Sequence, residues 1–440
     1  MFGMVRLSRL VVLGALVSLP LFACSDDDGG SEASDETGDG DGDGDPTGDG
    51  DPTGDGDGDP TGDGDGDPSG DGDGDGDPSG DGDGDPGVEP GDVAGCADAS
   101  FYEVPADPAA RGPWPVGART VVLDGVTTEI WYPAEWGSDA GQEPAVYDIR
   151  YALPESEQAK ITDDKNPTQT CDCVRDLPID ASHGPYPVVV FIHGTAAWRS
   201  QSLTQMAHWA SRGFIVVSQD HVGLWLASTL GQVCGGGGGQ QDLSGDTDKA
   251  LAALANPTGD MAFLAGLVDT ERVGISGHSA GGSAAAAQAN KPGVKVSIPM
   301  AAGQTVAGAP ESILFLGGLA DAVVAYSSTQ NGYASSPTPK RLVGINNAGH
   351  LAFSDICEIQ NGDGQNILDI ATEAGVCGAQ FAGFLFDCDP NYINADLANE
   401  IIDYTSTAVL EDVLKCVDGP DLFADIETKY LAIAEYQQDV

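Results

Sequence analysis

From about residue 96 onward, runs of consecutive Val, Ile and Leu alternate with segments whose apolar positions recur every three or four residues. "YPVVVFIHG" (Tyr186 to Gly194), "FIVVSQDH" (Phe214 to His221), "RVGIS" (Arg272 to Ser276), "VKVSIPMAA", "SILFLGG" and "KRLVGIN" read as strands. Strands this apolar are buried on both faces, as in a parallel sheet. "QMAHWASRG" (Gln205 to Gly213), "MAFLAGLV" (Met261 to Val268) and "GSAAAAQA" (Gly282 to Ala289) read as helical stretches between them. The alternation predicts an α/β domain, a mostly parallel central sheet with helices on both faces. "RTVVLDGVTTEIWYPAEW" (Arg119 to Trp136) reads as a hairpin turning at Asp124-Gly125. Gly223 to Asp260, with five glycines after Cys234, is expected to be a long flexible loop beside the cleft.

The N-terminal part has a different pattern. Arg6 and Arg9 precede an apolar run from Leu10 to Ala23, too short for a transmembrane helix and typical of an export signal. Leu21-Phe22-Ala23-Cys24 resembles a lipobox, which implies cleavage before Cys24 and a lipid on its sulfur. Ser25 after it resembles lipoproteins sorted to the outer membrane. Residues 26 to 92 are Gly, Asp and Pro repeats with 27 acidic side chains and no Lys or Arg. Such a segment cannot offset its ordering entropy by burial and should be an extended, solvated stalk. Asp71, Asp73 and Asp75 before Gly76 mimic the start of a calcium-binding loop, but the twelfth position is Gly82 and no helices flank it. The chain thus divides into a signal (1–23), a disordered linker (24–92) and a catalytic domain (93–440).

Charge and cysteines narrow the setting. A net charge of -52 argues against nucleic acid as a partner. Besides Cys24 there are eight cysteines, Cys96, Cys171, Cys173, Cys234, Cys357, Cys377, Cys388 and Cys416. An even number behind an export signal points to disulfides in an oxidising compartment, with 105 pairings open. Cys171-Asp172-Cys173 lacks the spacing and partners of a metal site. Pairs among Cys357, Cys377, Cys388 and Cys416 would pin the C-terminal segment.

The chemistry centres on Gly277-His278-Ser279-Ala280-Gly281. In a chain with 62 glycines, G-x-S-x-G arises by chance roughly 0.5 times, so context must decide. Ser279 falls between a predicted strand and a predicted helix, where a sharp turn projects a nucleophile above a sheet edge. Serine needs a base held by a carboxylate, in the chain order Ser, Asp, His. Of six histidines only His350 follows Ser279, directly after a predicted strand. Asp321 follows the strand "SILFLGG" and is the candidate acid. The oxyanion hole should be made by the backbone N–H of Ala280 and that of Thr195 or Ala196, after "PVVVFIHG". His193 is expected to shape that loop. Leu224 and Trp225 are candidate substrate-pocket residues.

These blocks carry a resemblance. Gly112 to Ser354 resembles the α/β-hydrolase superfamily, and within it the secreted branch similar to dienelactone hydrolases, platelet-activating-factor acetylhydrolases and polyester hydrolases. "GPWPVGARTVVLDG", "EIWYPA", "PVVVFIHG", "GFIVVSQDHVG", "RVGISGHSAGG" and "AGHLAFSD" stand where that branch has its blocks. The resemblance implies a serine carboxylesterase acting through an acyl-enzyme, with no metal or organic cofactor. Dienelactone hydrolases have cysteine where this chain has Ser279, and polyester hydrolases have Met where it has Ala280. The expected protein is a monomer in the cell envelope, lipid-anchored or secreted, acting on small esters. A lipase, polyester hydrolase or thioesterase on the same scaffold, or an inactive surface binding protein, are the alternatives.

Overall fold

The computed structural model describes residues 88–416 and 419–440. The export signal, Cys24 and the acidic repeat up to residue 87 lie outside the described residues.

Ten strands form one sheet: β1 (Val116–Leu123), β2 (Val126–Pro133), β3 (Val174–Arg175), β4 (Tyr186–Ile192), β5 (Ile215–Gln219), β6 (Val268–His278), β7 (Val294–Met300), β8 (Ser312–Gly318), β9 (Lys340–Ile345) and β10 (Ile433–Asp439). Their spatial order is β10-β9-β8-β7-β6-β4-β5-β2-β1-β3. The strands from β9 to β5 run parallel, while β2 pairs antiparallel with β5, and β10 antiparallel with β9. The hairpin of β1 and β2 turns at Asp124 and Gly125, both at positive φ, the geometry that suits the twist of paired strands.

Seven helices matter for the argument: α1 (Leu203–Ser211), α2 (Leu226–Cys234), α3 (Leu243–Ala255), α4 (Ala280–Ala287), α5 (Tyr326–Ser335), α6 (Ile367–Glu373) and α7 (Ala395–Leu410). Successive residues of a strand point to opposite faces, and the sheet accordingly separates two cores. Val189, Phe191, Val216, Ile298 and Leu316 pack with Met206 and Ala210 of α1 and with Ile402 and Val409 of α7. Val188, Val190, Val217, Ile275 and Phe315 pack with Leu254 of α3, Ala285 of α4 and Tyr333 of α5. Helices cover both faces, as the continuous apolar strands predict.

Three expectations change. The stretch Gly223 to Asp260 is not one flexible loop: it holds α2 and α3. The glycine run is only the link between them. Gly235 ends α2 in the left-handed conformation, and Asp242 caps α3 through the Gly245 amide. Met261 to Val268 is not an α-helix but the end of a short 3₁₀ turn, Gly259–Leu264, before β6 begins at Val268. The boundary expected at residue 92/93 falls inside a strand, since Asp92–Ala94 pairs with Ser100–Tyr102, and the Tyr102 hydroxyl bonds Glu89.

The eight cysteines stand in four pairs: Cys96–Cys416, Cys171–Cys173, Cys234–Cys377 and Cys357–Cys388. Only the last lies within the C-terminal group. Cys377 pairs with the end of α2 and Cys416 with the N-terminal ribbon, so these two bind the C-terminal region to the rest of the domain.

Candidate active site

Ser279 sits between β6, which ends at His278, and α4, which begins at Ala280. Its backbone has φ +59° and ψ -120°, a region where a side chain is strained. The flanking glycines are there because the chain passes too close for anything larger. A side chain at Gly281 would run into the carbonyls of Ile192 and His193, and one at Gly277 into the carbonyl of Gly281. Surroundings this tight hold the turn in its strained shape. Ser279 itself stays partly exposed above the buried strand.

His350 opens a 3₁₀ turn (His350–Phe353) after β9, and Asp321 lies in the loop after β8. His350 Nε2 is 3.0 Å from Ser279 Oγ, and its Nδ1 is 2.8 Å from Asp321 Oδ2. A carboxylate accepts only, so Nδ1 carries the proton and Nε2 is left to accept from the serine hydroxyl. Asp321 Oδ1 accepts the amides of Val323 and Val324 at 2.8 and 2.7 Å, which fixes the carboxylate plane. The three groups come from the C-terminal ends of β6, β8 and β9, the edge where sites form in parallel sheets.

The loop after β4 stands against Ser279. A side chain at Gly194 would meet Ser279 Cβ at 3.4 Å and His278 Nδ1 at 3.1 Å. The Ala196 amide is committed to the Leu224 carbonyl at 2.8 Å, so of the two residues named for this loop only Thr195 can offer a free donor. The Thr195 amide makes no hydrogen bond among the described residues. The Ala280 amide is the first of α4 and lies outside its i to i−4 ladder. His193 is fully buried; its Nδ1 faces the Gly194 carbonyl at 2.8 Å and its Nε2 accepts the His221 amide at 3.2 Å. Burial and the neighbouring His221 push His193 down to about 3, so it is neutral and its one proton is on Nδ1. Because a trans peptide holds C=O and N–H antiparallel, this bond also sets the direction of the Thr195 N–H.

Leu224 is 2% exposed and offers little surface to a ligand, whereas Trp225 is half-buried at the start of α2. A cavity of about 410 Å³ opens behind the His350 turn, lined by Leu351, Ser354, Asp387 and Tyr392 among others, rather than over Ser279. Among the described residues no group of three or more His, Cys, Asp or Glu is placed to hold a metal ion.

Several contacts at this site have no signal in the sequence pattern. Gln201 accepts the Gly194 amide at 2.7 Å and donates to His278 Nδ1 at 3.2 Å. His278, beside Ser279 in sequence, donates from Nε2 to the His350 carbonyl at 2.9 Å. Asp387 accepts the His350 backbone N–H at 3.0 Å and the Tyr392 hydroxyl at 2.8 Å. A histidine inside the serine motif could have been suspected of a role; Gln201, Asp387 and Tyr392 are known only once the chain is folded.

Residues 158–307 match the family model described as Chlorophyllase, about a third of the chain. No curated protein sequence matches it. In solved structures it resembles a ferulic acid esterase from Streptomyces cinnamoneus with a TM-score of 0.50 and 19% identity, over 72% of this chain and 94% of that one. With the parallel sheet, the crossover helices and the strand-turn-helix around Ser279, that likeness makes the architecture of this chain the α/β-hydrolase fold.

Proposed function

We propose that the protein is an exported serine carboxylesterase with Ser279 as nucleophile, His350 as general base and Asp321 as the group that orients it. The observation that carries the reading is the unbroken chain from Asp321 Oδ2 through the His350 ring to Ser279 Oγ, with links of 2.8 and 3.0 Å. The chlorophyllase-family match and the likeness to a ferulic acid esterase support the same coarse class, a hydrolase of carboxylic esters.

On this reading Ser279 Oγ attacks the ester carbonyl carbon as its proton passes to His350 Nε2. Asp321 stabilises the imidazolium through the Nδ1–H. The carbonyl oxygen, now anionic, is held by the amides of Ala280 and Thr195. Collapse of the tetrahedral adduct breaks the bond to the alcohol, which leaves with the proton from Nε2. Water then loses a proton to Nε2 and attacks the acyl-enzyme; a second collapse frees the acid and restores Ser279. On the same reading Trp225, half-buried at the start of α2, would line the substrate pocket. Cys24 would carry the lipid, and the acidic repeat would hold the domain off the membrane surface, most simply the outer membrane.

The test is hydrolysis of p-nitrophenyl esters from acetate to palmitate, with a feruloyl ester added, by the disulfide-intact protein and its Ser279→Ala variant. Activity lost in a folded variant supports the reading, and the chain-length profile separates esterase from lipase. Equal background rates for both proteins overturn it.

A further inference from the structure

Asp387 lies beyond the segment matched by the family model and beyond the loops that carry Ser279, Asp321 and His350. Its Oδ2 accepts the backbone N–H of His350 at 3.0 Å and stands 3.5 Å from the amide of Ala322, next to Asp321. Its Oδ1 accepts the Tyr392 hydroxyl at 2.8 Å. One carboxylate therefore joins the turn that carries the base to the loop that carries the acid. An anionic acceptor makes each of these bonds stronger than a neutral one would.

The surroundings fix this carboxylate in turn. The Tyr392 ring fills the space where Gly349, just before His350, would otherwise have a side chain. Cys388, the next residue after Asp387, is paired with Cys357, on the short turn (Ile356–Glu358) that follows the His350 turn. The polypeptide thus leaves His350, is tied at Cys357, travels out through α6, and returns at Cys388 to present Asp387 to the His350 amide.

We propose that Asp387 is a positioning residue for the ester hydrolysis, locking the His350 backbone so that its ring stays between Asp321 and Ser279. The proposal rests on the serine-esterase reading above. Asp387 touches neither the reacting atoms nor the imidazole, so it acts only through His350. Displacing the ring by about 1 Å is enough to cost about 100-fold in rate.

The experiment compares Asp387→Ala, Asp387→Asn and Tyr392→Phe with the disulfide-intact wild type. It reads kcat and KM across pH and the low-field proton NMR signal of the His350 Nδ1–H. In Asp387→Ala, kcat falls about 10- to 100-fold with KM nearly unchanged, and the low-field signal broadens or vanishes. Asp387→Asn keeps an acceptor oxygen for the amide and recovers most of kcat. The low-field signal returns with it, because the His350 backbone is held again. A purely structural role would change melting but neither kcat at constant KM nor the low-field signal.

Wild-type kcat with an intact low-field signal in folded Asp387→Ala overturns the proposal and leaves the serine-esterase reading standing. If the wild type hydrolyses no ester, that reading fails and the NMR signal alone decides: its loss in Asp387→Ala supports the positioning role, its persistence overturns it. If Asp387→Ala does not fold, Tyr392→Phe decides. A several-fold loss of kcat in Tyr392→Phe supports the proposal; wild-type kcat and an unchanged low-field signal in Tyr392→Phe overturn it.

Discussion

The Nε2–H of His278 donates to the backbone carbonyl of His350 at 2.9 Å, with the two rings 4.7 Å apart. Burial pushes His278 well below the usual histidine range, so it carries a single proton, and the carbonyl partner places that proton on Nε2. Its Nδ1 is then free to accept from Gln201, whose oxygen takes the Gly194 amide. The loop that carries Thr195 and the turn that carries His350 are thereby connected through one neutral ring and one buried amide side chain.

Removing Gln201 should expose this dependence. Gln201→Leu leaves the Gly194 amide without an acceptor in a buried place, which costs about 1–3 kcal/mol. It also frees the loop that bears Thr195. The expected result is a lower midpoint of urea unfolding together with a kcat reduced about tenfold or more, because a misplaced oxyanion donor loses most of its contribution. Wild-type kcat in a destabilised Gln201→Leu protein would mean that the relay supports the fold alone.

The strain at Ser279 has its own signature. With φ at +59° the residue pays about 1–3 kcal/mol that glycine would not. Ser279→Gly and Ser279→Ala should both be inactive towards esters. The glycine variant should nevertheless resist urea better than the alanine variant, by about 1 kcal/mol. Equal stability of the two would show that the surroundings, not the backbone conformation, set the energy of the turn.

How much of this could be read from the chain differs from element to element. β4, β5, β7, β8 and β9 were readable because strands covered on both faces are predominantly apolar, and these are rich in Val, Ile, Leu and Phe. The turn at Asp124-Gly125 was readable because few residues tolerate its dihedrals. The region from Gly223 to Asp260 was misread because its five consecutive glycines outweighed the short apolar periodicity on either side, in "LWLASTLG" and "LSGDTDKALAALA". Ser279, Asp321 and His350 could be nominated since each follows a strand, but the distances among them belong to the folded chain. Gln201 and Asp387 were invisible for a plain reason: a lone polar residue buried by tertiary contacts leaves no period and no motif.

The four disulfides should contribute unequally. Cys96 and Cys416 are 320 residues apart, while Cys171 and Cys173 are separated by 2. The entropy removed from the unfolded chain grows with the loop closed, about 6 kcal/mol for the long loop and about 2 for the short one. Replacing Cys96 and Cys416 together by alanine should therefore lower unfolding stability more than replacing Cys171 and Cys173. The comparison is made by urea unfolding of the two double variants, and the reverse ranking would contradict the entropic account.

Asp355 predicts a pH dependence of stability whose sign is opposite to that of an ordinary ion-paired carboxylate. It is buried behind the His350 turn; one oxygen accepts the Thr204 amide at the start of α1, and the other has no partner among the described residues. Asp403 of α7 is also buried, with one oxygen unpartnered among the described residues, and burial, helped by the charge of Asp355, pushes it well above the usual carboxylate range. Burial raises Asp355 from 3.8 to about 6. Between these two values the folded protein keeps a proton that the unfolded chain has released. The contribution is thus fully present below about pH 4 and is lost as pH rises through about 6. A gap of about two units corresponds to roughly 3 kcal/mol. Asp355→Asn retains an acceptor for the Thr204 amide and cannot ionise. It should match the wild type near pH 4 and exceed it in stability by up to about 3 kcal/mol at pH 8. Urea unfolding at both pH values measures the difference. A gap that does not grow with pH would mean that the Thr204 amide and the helix start favour the charged carboxylate more than burial opposes it.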